Sequence, residues 1–526
     1  MRFLVFSILL LTAGSVFPQS IPYDFDYSKP LNQSAATEGT PVGNSVSAML
    51  AVGDTLWIGT SRGLSRSTDN GVSWVNYYDT QGFGKHSISA IAHDPVTSTM
   101  WVALAKTVET LGQQLPAGAG LLYSKNGGNT WTYLAQPLDA QTDSVVVYGI
   151  NRIKAVPVTV DIQNITYDIA VYNNVVYTAS FAGGLRRTKD YGVTWERVVL
   201  PPDYSNSIKP TDTLSFCLSP VGGKICAEGN LNHRLFSVIA VNDSLVFCGS
   251  ANGINKSTDG GVSWIKYNHQ NSESPITGNF VVGMNYNSFN NTLWAATWKA
   301  EDQNEEYGLS YSTDGGKSWG NALQGEKVNN IAAYKNFVIA STNTGAYQKS
   351  SSNQVWYAAQ QIIDEVSGLE LQTNSFYSSA FTQDGLYSWL GSDNGLVRNE
   401  RSVGDSWSPK WRLTIASRPI SGDVEHYAFP NPFSPRLGST AIKYAVGSSS
   451  KKVTIRIFDF GMNYVKTIIQ NEARGAGVHT TGTDGSVIDY WDGTDDNSHY
   501  VPNGVYFYRI ELDDSEVFYG KILVVQ

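Results

Sequence analysis

A chain of 526 residues with 46 acidic against 37 basic side chains and a formal charge of −9 is longer than one ordinary core needs. It has no long basic run, which excludes nucleic acid and an anionic membrane as expected partners. Three cysteines without a Cys-x-x-Cys or Cys/His cluster exclude a zinc site, and no metal or cofactor is expected.

The opening stretch, MRFLVFSILLLTAGSVFPQS, has one arginine, an apolar run from Phe3 to about Leu11 and then small and polar residues. It reads as a secretory signal peptide over 1–20, because a membrane span needs about 20 apolar residues. No later segment reaches that length, so no transmembrane segment is expected. Residues 21–44 form an N-terminal segment ahead of the repeats.

From 45 to 416 the chain repeats itself. STDNGVSW at Ser67–Trp74 returns as SKNGGNTW at Ser124–Trp131, TKDYGVTW at Thr188–Trp195, STDGGVSW at Ser257–Trp264 and STDGGKSW at Ser312–Trp319. Two worn copies end at Trp356 and Trp407, which gives seven units with a mean period of about 55 residues. Before each box stands an apolar run ending in small residues and a glycine, as in LWIGTSRGL and LVFCGSANGI, with another apolar run upstream. Each unit therefore predicts four strands with tight turns between them, and seven such units bury their faces by closing into a ring.

The box itself reads as a hairpin turn between the third and fourth strands. The carboxylate of Asp69 is placed to accept backbone N–H groups a residue or two ahead, and Gly71 supplies a positive φ. The Ser67 hydroxyl is placed to cross-link the hairpin, and Trp74 to pack one unit against its neighbour. The same roles fall to Asp190, Gly192 and Trp195, to Asp259, Gly261 and Trp264, and to Asp314, Gly316 and Trp319. In the second unit Asn126 stands for the aspartate ahead of Trp131, which keeps hydrogen bonding and drops the charge that metal binding or acid–base work would need. An EF-type loop is excluded by the missing alternate acids and distal Glu, and GGKS at Gly315–Ser318 lacks the leading glycine of a phosphate loop.

The pattern S/T-x-D-x-G-x-x-W resembles the Asp-box, or BNR repeat, of sialidases, sortilin-like receptors, two-propeller xyloglucanases and photosystem assembly propellers. The resemblance implies a seven-bladed β-propeller whose boxes lie away from the ligand. It implies no activity, since the F/Y-R-I-P motif of the sialidase arginine triad is absent. In such a blade the boxes share a face with the first-to-second turns. The long insertions AKTVETLGQQLPAGAG and WKAEDQNEEYG and the links 135–164, 199–234 and 360–374 share the other, where a glycan or extracellular protein ligand is expected. Arg62 and Trp298 are the candidate ligand-face residues. No catalytic residue is assigned, although a glycoside hydrolase with paired carboxylates in the central cavity is the alternative, and Glu301, Asp302, Glu305 and Glu306 are acids on offer. Cys217 and Cys226 either close a short disulfide loop or stay free, and Cys248 reads as a buried thiol.

After a linker at 417–426 the pattern changes. Alternating strands such as TAIKYAV, KKVTIRIFDF and GVYFYRIEL predict a small Ig-like β-sandwich over 427–526. FPNPF, VTIRIFDFGMNYVKTI, YWDGTDDNSHYVPNGVYFYRI and a final KILVV resemble the FlgD-like Ig fold and the type A sorting domain of the type IX secretion system. That resemblance implies the type IX machinery as partner and a secreted or outer-surface location. Asp492, Asp495 and Asp496 read as turn formers.

Overall fold

The computed structural model describes residues 40–526 apart from 111, 301–303, 351–354, 372, 402–405, 417–425, 447–448, 476–477, 480–488 and 514–515. The expected leader, Glu301, Asp302 and nearly all of the linker lie outside the described residues.

Seven successive antiparallel sheets run from Val46 to Thr414, each with four strands from consecutive sequence, and the fourth gains Ser207–Ile208 as a fifth. Their first strands are Val46–Val52, Ser87–His93, Thr166–Tyr172, Leu235–Ala240, Phe280–Asn287, Val328–Tyr334 and Phe376–Phe381. Each lies beside the next, and the last lies beside the first, so the sheets are the blades of a closed β-propeller. Among the described residues no strand is shared across the seam between blades 7 and 1. It is held by side chains: Ser378 Oγ donates to Val46 O at 3.1 Å, Arg398 Nη1 to Asn70 O at 2.8 Å, and Trp74 packs with Trp389.

The boxes are the predicted turns, with one correction. The backbone donors to the carboxylates lie three or four residues ahead rather than one or two, because the turn spans five residues before the chain re-enters the sheet. Asp259 Oδ1 accepts Val262 N at 3.1 Å and Ser263 N at 2.8 Å, while Ser257 Oγ accepts Gly261 N at 2.8 Å. Asn126 Oδ1 accepts Thr130 N at 2.9 Å in the same geometry without a charge. The glycines at box position five have φ between 82° and 99°. They also meet the preceding blade edge-on: a Cβ on Gly71 would stand 2.7 Å from Trp389, and one on Gly128 would clash with Trp57.

Each box tryptophan joins the core of the blade before it, Trp131 with Trp57 and Tyr77, Trp264 with Tyr177, Trp319 with Phe247 and Ile254. In blades 1, 3 and 4 a basic residue just ahead of the box completes the joint. Arg66 and Arg187 donate to the carbonyls of Gly127 and Gly260, the fourth box residue of the next blade, and Lys256 reaches Gly315 O at 2.8 Å.

The C-terminal residues form two further four-stranded sheets around Ile455, Trp491, Tyr508 and Ile522, all nearly inaccessible to solvent. One holds Lys451–Phe458, Tyr464–Arg474, Gly504–Leu512 and Glu516–Val524, the other His426–Phe429, Thr440–Ala445, Val478–His479 and Tyr490–Trp491. The chain is therefore all-β, a propeller followed by a sandwich. Asp492 and Asp495 cap turns through Thr494 N and His499 N at 3.0 and 2.9 Å.

Candidate functional site

All seven first strands carry a β-bulge against their second strands, at Ser47, Ser89, Tyr167, Phe236, Val282, Asn329 and Tyr377. A bulge disrupts the ladder locally, and a carbonyl left without a partner needs one from elsewhere. The neighbouring blade supplies it. Ser47 Oγ donates to Ile88 O at 2.9 Å, Ser89 Oγ to Thr166 O at 2.7 Å, Ser237 Oγ to Val281 O at 3.0 Å and Asn329 Nδ2 to Phe376 O at 2.9 Å. Between blades 3 and 4 the bridge is instead Asp168, whose carboxylate accepts Val238 N and Ile169 N, each at 2.9 Å. Burial raises its pKa to about 7. Asn330 makes the corresponding bond to Ser379 N at 3.0 Å, so the bridge needs no charge.

Neither candidate ligand residue lies exposed. Trp298 is 1% exposed, and its indole Nε1 donates to Val328 O at 2.5 Å, which makes it the brace between blades 5 and 6. Gly283 takes the place in blade 5 of the bridging Ser237 and Asp168 and offers no side chain, so the donor comes from the second strand. Arg62 is 3% exposed, with its guanidinium over the Tyr78 ring at 5.3 Å, rather than solvated on a loop. Glu305, from the acidic insertion, is buried too: it accepts Asn279 N at 3.0 Å and Ala300 N at 2.7 Å and shapes its own loop. Among the described residues Asp168 is the one carboxylate on any first strand.

The long chain segments gather elsewhere. AKTVETLGQQLPAGAG is a continuation of strands Met100–Thr110 and Gln113–Ser124, paired out to Thr110 and Gln113. The links 135–164 and 199–234 do not stay on the face opposite the boxes. They build a separate three-stranded sheet from Val145–Tyr148, Asn151–Ala155 and Cys217–Leu218, whose inner residues Tyr148, Ile153, Ala155 and Leu218 fill the crevice between blades 3 and 4. The sheet reaches the box side, where Tyr148 Oη donates to Val262 O at 2.7 Å. Cys217 and Cys226 are joined, closing the loop beside this sheet, and Cys248 is a buried thiol whose pKa burial pushes up.

A basic centre ties both links to blade 3. Arg186 Nη1 lies 2.7 Å and Arg197 Nη1 3.5 Å from the Asp139 carboxylate, and all three side chains are at least nine-tenths buried. Arg197 also donates to Val156 O at 3.0 Å and to Leu218 O at 3.3 Å, one from each link. Burial lowers its pKa to about 10. Arg186 Nε and Nη2 are buried without a hydrogen-bond partner among the described residues. Beside them a small pocket is lined by Gly183, Gly184, Arg197, Leu218, Pro220 and His233. Burial holds His233 neutral, with its pKa lowered to about 4, against Leu200 O at 3.2 Å and the Phe216 ring. The centre holds two guanidiniums against the Asp139 carboxylate, with Asp143 close enough to act on Arg197, and it leaves two Arg186 nitrogens as donors for an acceptor. The sequence held a signal for the extra sheet in VVVYGINRIKA, an apolar run and an alternating run about a two-residue Gly-Ile turn. Nothing local marked Arg186 and Arg197, because Asp139 meets them from another unit.

No protein-family model matches the chain, and no curated protein matches it. Among solved structures it is similar to YCF48 from Cyanidioschyzon merolae, at 12% identity over 68% of this chain and 92% of that one, with a TM-score of 0.39. It is also similar to PorZ, described as an essential bacterial surface component of the type-IX secretion system of Porphyromonas gingivalis, at 13% identity over 92% and 66% with a TM-score of 0.36. A third likeness is to an ancestral GH74 enzyme, at 15% identity over 93% and 64% with a TM-score of 0.48. All three identities lie below 25% and all three TM-scores below 0.5, and the propeller rests on the sheets and their ring of contacts.

Proposed function

We propose that this protein is a binding or adhesion propeller of the cell exterior, taking a glycan or extracellular protein on the surface built by its insertions. The observation that carries this reading is the cladding of blades 3 and 4. There the regular propeller is overlaid by two long links, a disulfide and a buried arginine centre with two unpartnered Arg186 nitrogens among the described residues. The pocket favours a ligand that presents a carboxylate or another anionic group. The leader-like start and the resemblance of 425–526 to a type IX sorting domain support export by that route, with the sandwich as the part read by the secretion machinery. The hydrolase alternative gains no support from the central axis, where the first strands offer Asp168 alone and use it as a bridge. The test is a glycan array and an extracellular-protein pull-down with the full-length secreted protein, beside an Arg197→Gln variant. Retention of an acidic ligand that the variant loses is the expected result. A blank array together with an empty pull-down overturns the proposal.

A further inference from the structure

The outer strand of the added sheet is an open edge. Its order is Cys217–Leu218, Asn151–Ala155, Val145–Tyr148, and nothing among the described residues pairs with the far side of Val145–Tyr148. The hairpin closes on Tyr148 and Asn151, and Ala155 N donates to Ser144 O at 2.8 Å. The paired residues are therefore 144, 146 and 148, and the N–H and C=O groups of Val145 and Val147 point outward, away from their partner strand. Side chains alternate in the same register. Val146 and Tyr148 pack inward, while Val147 is 66% exposed and Val145 44% exposed.

Native edge strands are usually blunted by lysine, proline, a bulge or a cover, and this one carries three valines in a row. The charges sit one strand further in. Arg152 stands opposite Val147 and Lys154 opposite Val145, so both cations share the exposed face with the valines, and both are exposed without an ion pair among the described residues. The surface thus offers a hydrogen-bonding edge, two apolar contacts and two free positive charges, on a sheet braced from below by Arg197 through Leu218 O.

We infer that an extended acidic segment of a partner protein adds to this edge as a further strand. The backbone groups of Val145 and Val147 supply the hydrogen bonds, and every second side chain of the added strand falls on the face that carries the valines and both cations, its methylenes against the valines. Acidic side chains in the partner face Arg152 and Lys154, which sets orientation and disfavours basic segments. This inference deepens the binding reading above and rests on it.

The experiment uses the full-length protein and a labelled ten-residue peptide of alternating valine and glutamate, with a lysine-for-glutamate counterpart, read by fluorescence anisotropy. The glutamate peptide is expected to bind at least about tenfold tighter than the lysine peptide, with preference reversed in Arg152→Glu/Lys154→Glu. Val147→Pro, which removes an outward N–H at an edge position, should abolish binding, and amide exchange should slow at Val145 and Val147 on adding the peptide. If Val147→Pro fails to fold, the charge-reversed variant, altered only at exposed side chains, still decides the matter. Equal binding of both peptides, or binding indifferent to charge reversal, overturns the inference. So does self-association of the protein that Val147→Pro removes, because the occupant is then a second copy. A ligand from the array or pull-down that survives Arg152→Glu/Lys154→Glu leaves the wider binding reading standing and removes this one.

Discussion

At the scale of single residues the box aspartates and the axial Asp168 are opposite cases of one chemistry. Asp190 accepts Thr194 N at 2.9 Å and Thr194 Oγ1 at 2.6 Å, and these bonds with that from Thr188 hold its pKa down to about 2. Its contribution to stability is present above the unfolded value near 4 and is lost as pH falls through 2. Asp190→Asn should cost little at pH 7 and should flatten the acid side of a thermal-unfolding profile taken between pH 5 and 2. Asp168 has the reverse sign. With its folded pKa raised to about 7, the structure is most favoured below pH 4 and loses stability as pH rises through 7. Asp168→Asn should thus gain relative to the parent between pH 4 and 8 in chemical unfolding, as Asn330 in blade 6 already illustrates. Trp298→Phe keeps a six-membered aromatic ring and deletes the pyrrole ring with its donor to Val328 O. The unsatisfied carbonyl should cost about 1–3 kcal/mol, measured by urea unfolding with no change of fold in circular dichroism.

Among elements, the box was legible because every constraint on it is local: a hydroxyl, an acceptor, a glycine and a tryptophan within eight residues. Its partners were not, since Trp389 and Trp57 lie on second strands of other blades and become necessary only once the ring is closed. The basic residue ahead of the box stood in plain view in GLSRS, GLRRT and GINKS, but its acceptor is a carbonyl 59 to 73 residues away. Trp298 misled for a related reason, because a tryptophan beside a long acidic loop looks like a rim residue until its indole meets a bulge in the next blade. The links 135–164 and 199–234 were legible as insertions and not as cladding, since their anchor is the contact of Asp139 with Arg186 and Arg197. Asp139→Ala leaves two buried guanidiniums uncompensated and should cost about 3–5 kcal/mol. Limited proteolysis should then cut within both links while the propeller remains resistant.

For the whole molecule, the hydrogen bonds around the axis and the box joints at the rim make two concentric sets of blade-to-blade contacts. The seam uses the same contacts as the junction of blades 4 and 5, a serine to a first-strand carbonyl and a basic residue to the fourth box residue, so Arg398→Ala and Lys256→Ala should lower Tm to a similar small degree. The absence of a shared strand at the seam has a further consequence. Gly395 N donates to Asn44 O at 3.0 Å and Ala416 N reaches Asn44 Oδ1 at 2.5 Å, so the beginning and end of the wheel are already in touch. A circularly permuted gene, opened between Tyr267 and Phe280 and spliced by a few glycines from Ala416 to Asn44, would leave every sheet made from unbroken chain. The wheel has no obligatory first blade, and the sandwich could be grafted after whichever blade comes last.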